Sequence, residues 1–190
     1  MKPKQEGEES MMRRGRAKDM TYVAAAVALL AVCSWISIPT AVPFTMQTFG
    51  VFMVVGLLGG KLGTAAIAVY ILTGALGLPL FAGFSGGPGV IAGLTGGYIA
   101  GFLGSAIFMW ATEKIWKKRI SLFFSSACVG LLICYLLGTL WFMKVYTDDA
   151  GTIGIMTVLS TCVFPYIAPD LVKTGLAAYL VKRLRPLIKR

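Results

Sequence analysis

Apolar positions in this chain fall in long continuous runs, not in alternation. After a polar opening from Met1 to Asp19 they fill Thr21–Ile38, Phe49–Leu76, Leu94–Ala111, Leu122–Met143 and Ile153–Val163. They then continue past Pro165 and Pro169 almost to a basic end at Lys182–Arg190. In lipid a backbone must satisfy its own N–H and C=O groups, which leaves helices or a closed barrel. Runs without a period of two select helices. The pattern predicts an all-α integral membrane protein of about six transmembrane helices, some short or kinked, with both termini cytoplasmic. It divides the chain into a polar tail (1–20), a membrane domain (21–185) and a basic tail (186–190).

Local punctuation refines this. The tail mixes Glu6, Glu8 and Glu9 with Arg13, Arg14, Arg16 and Lys18 and reads as disordered. Thr21–Ile38 is eighteen residues long and has no clean small-residue cleavage site after it, so it reads as a first span, not a signal peptide. Pro39 and Pro43 end it, and the apolar connection 38–48 folds back on the membrane domain, bringing Thr45, Gln47 and Thr48 as hydrogen-bonding groups. Gly59-Gly60-Lys61 splits 49–76 into two short helices. The stretch Gly77–Gly97 is glycine-rich yet carries Leu80, Phe81, Phe84 and Ile91. A flexible linker would be polar, so this one caps or walls a pocket, or is a plain surface loop. Gly93, Gly97 and Gly101 recur every four residues, leaving one helix face nearly bare for another helix or a ligand. Ala24 and Ala28 have the same spacing, as a packing face or as filler. Trp110 and Trp116 bracket a basic turn and suit a membrane interface. Lys144–Gly151, with Asp148 and Asp149, reads as a polar outer loop, and 152–163 as a partial helix or the upper part of a kinked last span.

Charge then fixes orientation and removes whole classes of function. Only 14% of residues are charged, against about 25% in soluble domains. The net charge of +10 would suggest nucleic acid in a soluble protein. Here sixteen of the eighteen basic residues lie on one side of the predicted topology, leaving Lys144 outside and Lys173 within the last span. That is the pattern that orients membrane proteins, so the implied surroundings are lipid in a multi-pass cell-membrane protein, with no nucleic acid. The four cysteines form no C-x-x-C pair and there is no histidine, which gives no support to a zinc site, a disulfide framework or a serine triad. Leu57-Leu58-Gly59-Gly60-Lys61-Leu62 resembles a phosphate loop but has Val55 where glycine is needed and Leu62 where serine or threonine is needed. Nothing here indicates an enzyme, a cofactor or a metal.

The chemistry concentrates at Phe164–Lys173, where Asp170 and Lys173 sit three residues apart in apolar surroundings. If Pro169 opens a helix, Asp170 falls in its first turn, near the positive end of the dipole, with Lys173 on the same face. A charge at membrane depth costs about 2.5–3.5 kcal/mol on insertion scales and usually faces a cavity. Either the two neutralise each other or they mark a ligand site or pathway.

Four motifs taken together resemble the BioY family: Pro43-Phe44-Thr45-Met46-Gln47-Thr48-Phe49, Gly77-Leu78-Pro79-Leu80-Phe81-Ala82-Gly83, Gly93-Leu94-Thr95-Gly96-Gly97-Tyr98, and Pro169-Asp170-Leu171-Val172-Lys173. The resemblance spans about residues 20–185. It implies a six-helix biotin-binding component of an energy-coupling factor transporter, partnered by a transmembrane coupling protein and cytoplasmic ATPases. It also implies that Asp170 and Lys173 contact the ureido head of biotin, within a ligand site that includes Thr45, Gln47, Phe81, Phe84, Thr95, Gly96, Gly97 and Tyr98. Ala24 and Ala28 would then dock the coupling protein. The chain departs from the family pattern at Leu94, where proline is common, and at Ala168-Pro169, where Pro-Gly commonly precedes the acid. The alternative is a stand-alone secondary carrier for biotin or another small solute.

Overall fold

The computed structural model describes residues 2–40, 42–150 and 154–188, with side chains from Arg13 onward except at 148–150. Its helices are α1 (Lys2–Trp35), α2 (Gln47–Leu58), α3 (Gly60–Ala75), α4 (Pro88–Ala92), α5 (Gly96–Ala111), α6 (Glu113–Trp116), α7 (Ile120–Ala150), α8 (Ile155–Cys162) and α9 (Phe164–Leu184). A two-stranded antiparallel ribbon, β1 (Ser37–Ile38) with β2 (Phe44–Thr45), joins α1 to α2.

The fold is arranged around α2. Its sequence, QTFGVFMVVGLL, is apolar on every side and carries no charge, and a helix of that kind is stable only when surrounded. It is buried from Gln47 to Leu58 apart from Phe49 and Leu57 and packs against α1, α3, α5, α7 and α9. Gly59, at φ 80°, makes the break before α3 that the Gly-Gly-Lys signal predicted. Twelve residues of helix span only about 18 Å, short of the roughly 30 Å hydrocarbon core. Two helical segments are long and apolar enough to cross a membrane, Arg13–Trp35 and Ile120–Thr147; α8 and α9, bent by 41°, count as a third if taken as one span. The helical stretches lie where the apolar runs placed them.

The glycine face of α5 meets a helix. A Cβ on Gly101 would lie 2.8 Å from Cys134 Cα, and one on Gly97 would overlap Trp141. This close approach holds α5 against α7, and the indole of Trp141 donates to Gly93 O at 2.9 Å.

Four expectations need correction. The tail is helical from Lys2, not disordered. Once the span nucleates a helix, extension is cheap. The outer loop predicted at Lys144–Gly151 is the end of α7 as far as Ala150, since no glycine or proline interrupts 139–150; Gly151 lies outside the described residues. Trp116 is no interface residue: it is 1% exposed, packs edge-on against Phe123 and donates its indole N–H to Met109 O at 2.6 Å. Finally, α9 begins at Phe164 with Pro165 in its first turn, and Pro169 lies inside the helix. Asp170 therefore stands beyond the first turn, where the dipole has little hold.

Candidate functional site

Asp170 and Lys173 are both buried, with side chains 7% exposed, and pair at 2.8 Å between Lys173 Nζ and Asp170 Oδ1. The helical spacing of three brings them together on one face of α9. Lys173 Nζ also donates to Thr45 O at 2.7 Å and sits 3.6 Å from the centre of the Phe44 ring. The ribbon is therefore what fixes the ammonium: β2 supplies both the carbonyl and the aromatic face. On the acid, Oδ1 accepts a second bond from Thr48 Oγ1 at 3.3 Å, and Oδ2 accepts from Tyr135 Oη of α7 at 2.7 Å. A carboxylate offers about four lone-pair sites. Among the described residues three are filled, and the fourth, on Oδ2, has no donor.

This pair forms part of the wall of a cavity of about 130 Å³ between the ribbon, the 77–95 connection and helices α2, α5, α7 and α9. Val42, Phe81, Val90, Ile99, Phe102 and Leu131 give it an apolar body. Tyr98 lines the cavity, but its Oη is fully buried beside the Thr139 hydroxyl of α7.

The glycine-rich connection closes one side, and it is anchored. Trp35 Nε1 donates to Pro79 O at 2.8 Å, and Tyr70 Oη donates to Leu80 O at 2.9 Å. Tyr70 in turn receives Gln47 Nε2 at 2.8 Å, and Thr45 Oγ1 donates to Gln47 Oε1 at 3.2 Å. A chain of hydrogen bonds thus runs from the cap at Leu80 to Thr45, whose carbonyl holds Lys173. On the opposite wall Tyr166 Oη donates to Val42 O at 2.5 Å and meets Thr40 Oγ1 at 2.8 Å, tying the ribbon turn to α9.

Of the residues singled out in the sequence, Asp170, Lys173, Thr45, Gln47, Phe81, Thr95 and Tyr98 line this cavity. Phe84 does not: it is 64% exposed and stacks on Trp35 with ring centres 5.0 Å apart. Gly96 and Gly97 are buried and contribute backbone at the close start of α5, without lining the cavity. Ala24 and Ala28 are exposed on α1, apart from the site. Sequence reasoning missed Tyr135 and Ser85, which line the cavity, and the place of Phe44 beneath the ammonium; Tyr166, within the Phe164–Lys173 stretch, lines the cavity too. For Tyr135 the signal was present: a hydroxyl deep in an apolar run must find a partner when buried.

Comparison with known proteins completes the picture. A model of the BioY family matches residues 5–190. The biotin transporter BioY of Thermotoga maritima is 42% identical over 162 residues, covering 84% of this chain and 91% of that protein. A probable biotin transporter BioY of Pyrococcus horikoshii is 38% identical over 171 residues, covering 90% and 98%. The crystal structure of the S-component for biotin from an ECF-type ABC transporter superposes with a TM-score of 0.79 at 26% identity, covering 91% of this chain and 93% of that one.

Proposed function

The chain belongs to the BioY family, and on that footing we propose that it captures biotin in the cavity above the Asp170–Lys173 pair and acts as the S component of an energy-coupling factor transporter. It is a transporter component and not an enzyme. The observation that carries the reading is the buried ion pair in a cavity wall with one carboxylate lone pair open on Oδ2. Biotin's cyclic urea presents N–H donors beside a carbonyl, the complement of a carboxylate next to an ammonium. A ureido N–H binds Oδ2 of Asp170, and Lys173 turns to the ureido oxygen. Phe81, Tyr98, Ile99 and Phe102 cover the fused ring and the aliphatic chain, and Gly96 and Gly97 let α5 start close enough for Thr95 and Tyr98 to reach.

The wider arrangement belongs to the same proposal. Helices α1, α2, α3, α5 and α7 and the bent α8–α9 pair form six spans of a multi-pass protein of the cell membrane, with both termini cytoplasmic. The membrane domain is 21–185, flanked by the tails 1–20 and 186–190. A transmembrane coupling protein docks on the exposed Ala24–Ala28 face of α1, and cytoplasmic ATPases drive delivery. Six apolar helical segments, and basic residues clustered around the same set of turns, support this topology.

Calorimetric titration of the detergent-purified chain with biotin tests the reading. Tight one-to-one binding is expected, and no heat in protein shown to be folded would overturn it. Uptake into vesicles by this chain alone under an ion gradient would favour a stand-alone carrier for biotin or another small solute. Impermeant labels reaching either terminus from outside intact cells would refute the orientation.

A further inference from the structure

About 22 Å along α7 and α9 from the Asp170 site (fifteen residues at 1.5 Å each) lies a second concavity, of about 440 Å³, that the biotin reading does not use. It is lined by five cations, Lys117, Lys118, Arg119, Lys182 and Arg185. Its floor is built, because Trp116 is buried there, tied to Met109 O and packed on Phe123, and the Arg185 guanidinium lies 5.4 Å from the centre of the Trp116 ring. The carboxylate of Glu113 pairs with Lys117 at 2.6 Å, accepts from the Gly60 N–H at 3.0 Å and is also under the longer-range attraction of Arg185. Among the described residues, Lys118, Arg119, Lys182 and Arg185 have no carboxylate within ion-pair distance. The 31-residue helix α7 starts at Ile120 on this rim, and the first N–H groups of a helix have no acceptor within it, which adds to the pull on an anion.

We propose that this pocket binds the phosphate of an anionic phospholipid. The shared chemistry is a phosphate oxygen cluster held by arginine forks and ammonium groups. Lipid is favoured over a free solute by exposed apolar side chains at the border of the pocket: Ile120 lines the pocket, and Ile115, Leu184 and Leu187, next in sequence to the lining residues Trp116, Arg185 and Pro186, are exposed. A headgroup in the pocket would lay its acyl chains against that border, whereas free phosphate would leave it in contact with water. Cationic pockets between transmembrane helices are suited to such headgroups. The inference is independent of the biotin site and does not rest on it.

The test uses the full chain in neutral detergent, titrated with phosphatidylglycerol, phosphatidylcholine or inorganic phosphate, and read by thermal shift and by lipid adducts in native mass spectrometry. Phosphatidylglycerol should raise Tm and stay bound, and phosphatidylcholine should do neither. Arg119→Gln/Arg185→Gln should weaken phosphatidylglycerol binding by about ten-fold or more, at roughly a factor of several per removed charge, while cooperative unfolding without added lipid, as the check on folding, is kept. The tail pair Arg13→Gln/Arg14→Gln removes the same charge and should leave lipid binding intact. Equal loss in both pairs would mean net charge alone and would overturn the site. Equal stabilisation by inorganic phosphate would make it a free-phosphate site and overturn the lipid assignment. Retention of neither lipid nor phosphate, with a partner protein held through the same arginines, would overturn it as well.

Discussion

Replacing Lys173 by methionine, Asp170 by asparagine, and then both together, separates a structural ion pair from a ligand site. At 2.8 Å and an effective dielectric near 20, the Coulomb attraction is about 6 kcal/mol before desolvation is charged against it. Removing one partner leaves the other buried and unmatched, at a cost of about 3–5 kcal/mol. Lys173→Met strands a carboxylate held only by the Thr48 and Tyr135 hydroxyls. Asp170→Asn strands an ammonium held by Thr45 O and the Phe44 ring. Each single variant should therefore lower the Tm of the ligand-free protein. The double variant carries no buried charge and should recover most of that loss. Affinity should behave differently. Each single variant loses a charged hydrogen bond to the ligand, about 1.5–3 kcal/mol, or roughly 10- to 150-fold in Kd. The double variant has neither partner, so its affinity should stay at least as low as that of the weaker single variant. The assay is a double-mutant cycle with two readouts, thermal unfolding without ligand and biotin calorimetry. If the double variant regained both Tm and biotin affinity to within about three-fold, the pair would be neutralisation only, and the ligand role derived from it would fail.

The other predictions concern the surrounding shell. Phe81→Ala removes a fully buried ring from the cavity wall and should cost about 3–5 kcal/mol of stability together with biotin affinity. Phe84→Ala removes only an exposed ring stacked on Trp35 and should change Kd by less than about three-fold; equal losses in calorimetry would contradict the assignment of the wall. Gly101→Ala puts a methyl 2.8 Å from Cys134 Cα, so overpacking should lower Tm by the equivalent of about 1–3 kcal/mol, and an unchanged Tm would show that α5 and α7 part freely. At Glu113, burial pushes the carboxyl up, but the Lys117 ammonium and the Gly60 N–H more than offset it and hold it below the usual glutamate range. Its contribution is thus fully present above about pH 4.3, the unfolded value, and is lost as pH falls through the lower folded value. The Tm advantage of the native chain over Glu113→Gln should shrink in acid, and parallel Tm–pH curves would refute this.

The fold was largely legible because its strongest signals are local. Continuous apolar runs and the Gly59-Gly60 break each act on a few residues, and α2 and α3 lie where they pointed; the α8–α9 bend falls at Val163, just ahead of Pro165, while Pro169 is carried inside α9. Element ends were less legible, because polar residues do not stop a helix. Nothing in Lys144–Ala150 could end α7. Within the site, Asp170 and Lys173 announced themselves as charges in an apolar run, and their helical spacing made the pair inevitable. Tyr135 and Phe44 reach that pair from other elements, and no pattern within one helix says which neighbour will face it. The same limit applies to Phe81 and Phe84. Both sit in one glycine-rich stretch, but only the tertiary turn around Ala82–Phe84, with Gly83 at φ 69°, sends one ring inward and the other out.

The single open lone pair on Asp170 has a consequence for discrimination. With its other acceptor positions filled among the described residues, this carboxylate rewards one donor and no more. A ligand that replaces that N–H by oxygen, sulfur or methylene leaves a buried carboxylate short of a partner, and sites that lose a hydrogen bond in this way reject analogues by about 10⁴-fold or more where a missing methylene costs only about 10–200-fold. In the pose proposed above, the cavity lined by Ile99 and Phe102 should therefore tolerate changes in the aliphatic chain far better than any change at the ureido nitrogen assigned to Oδ2.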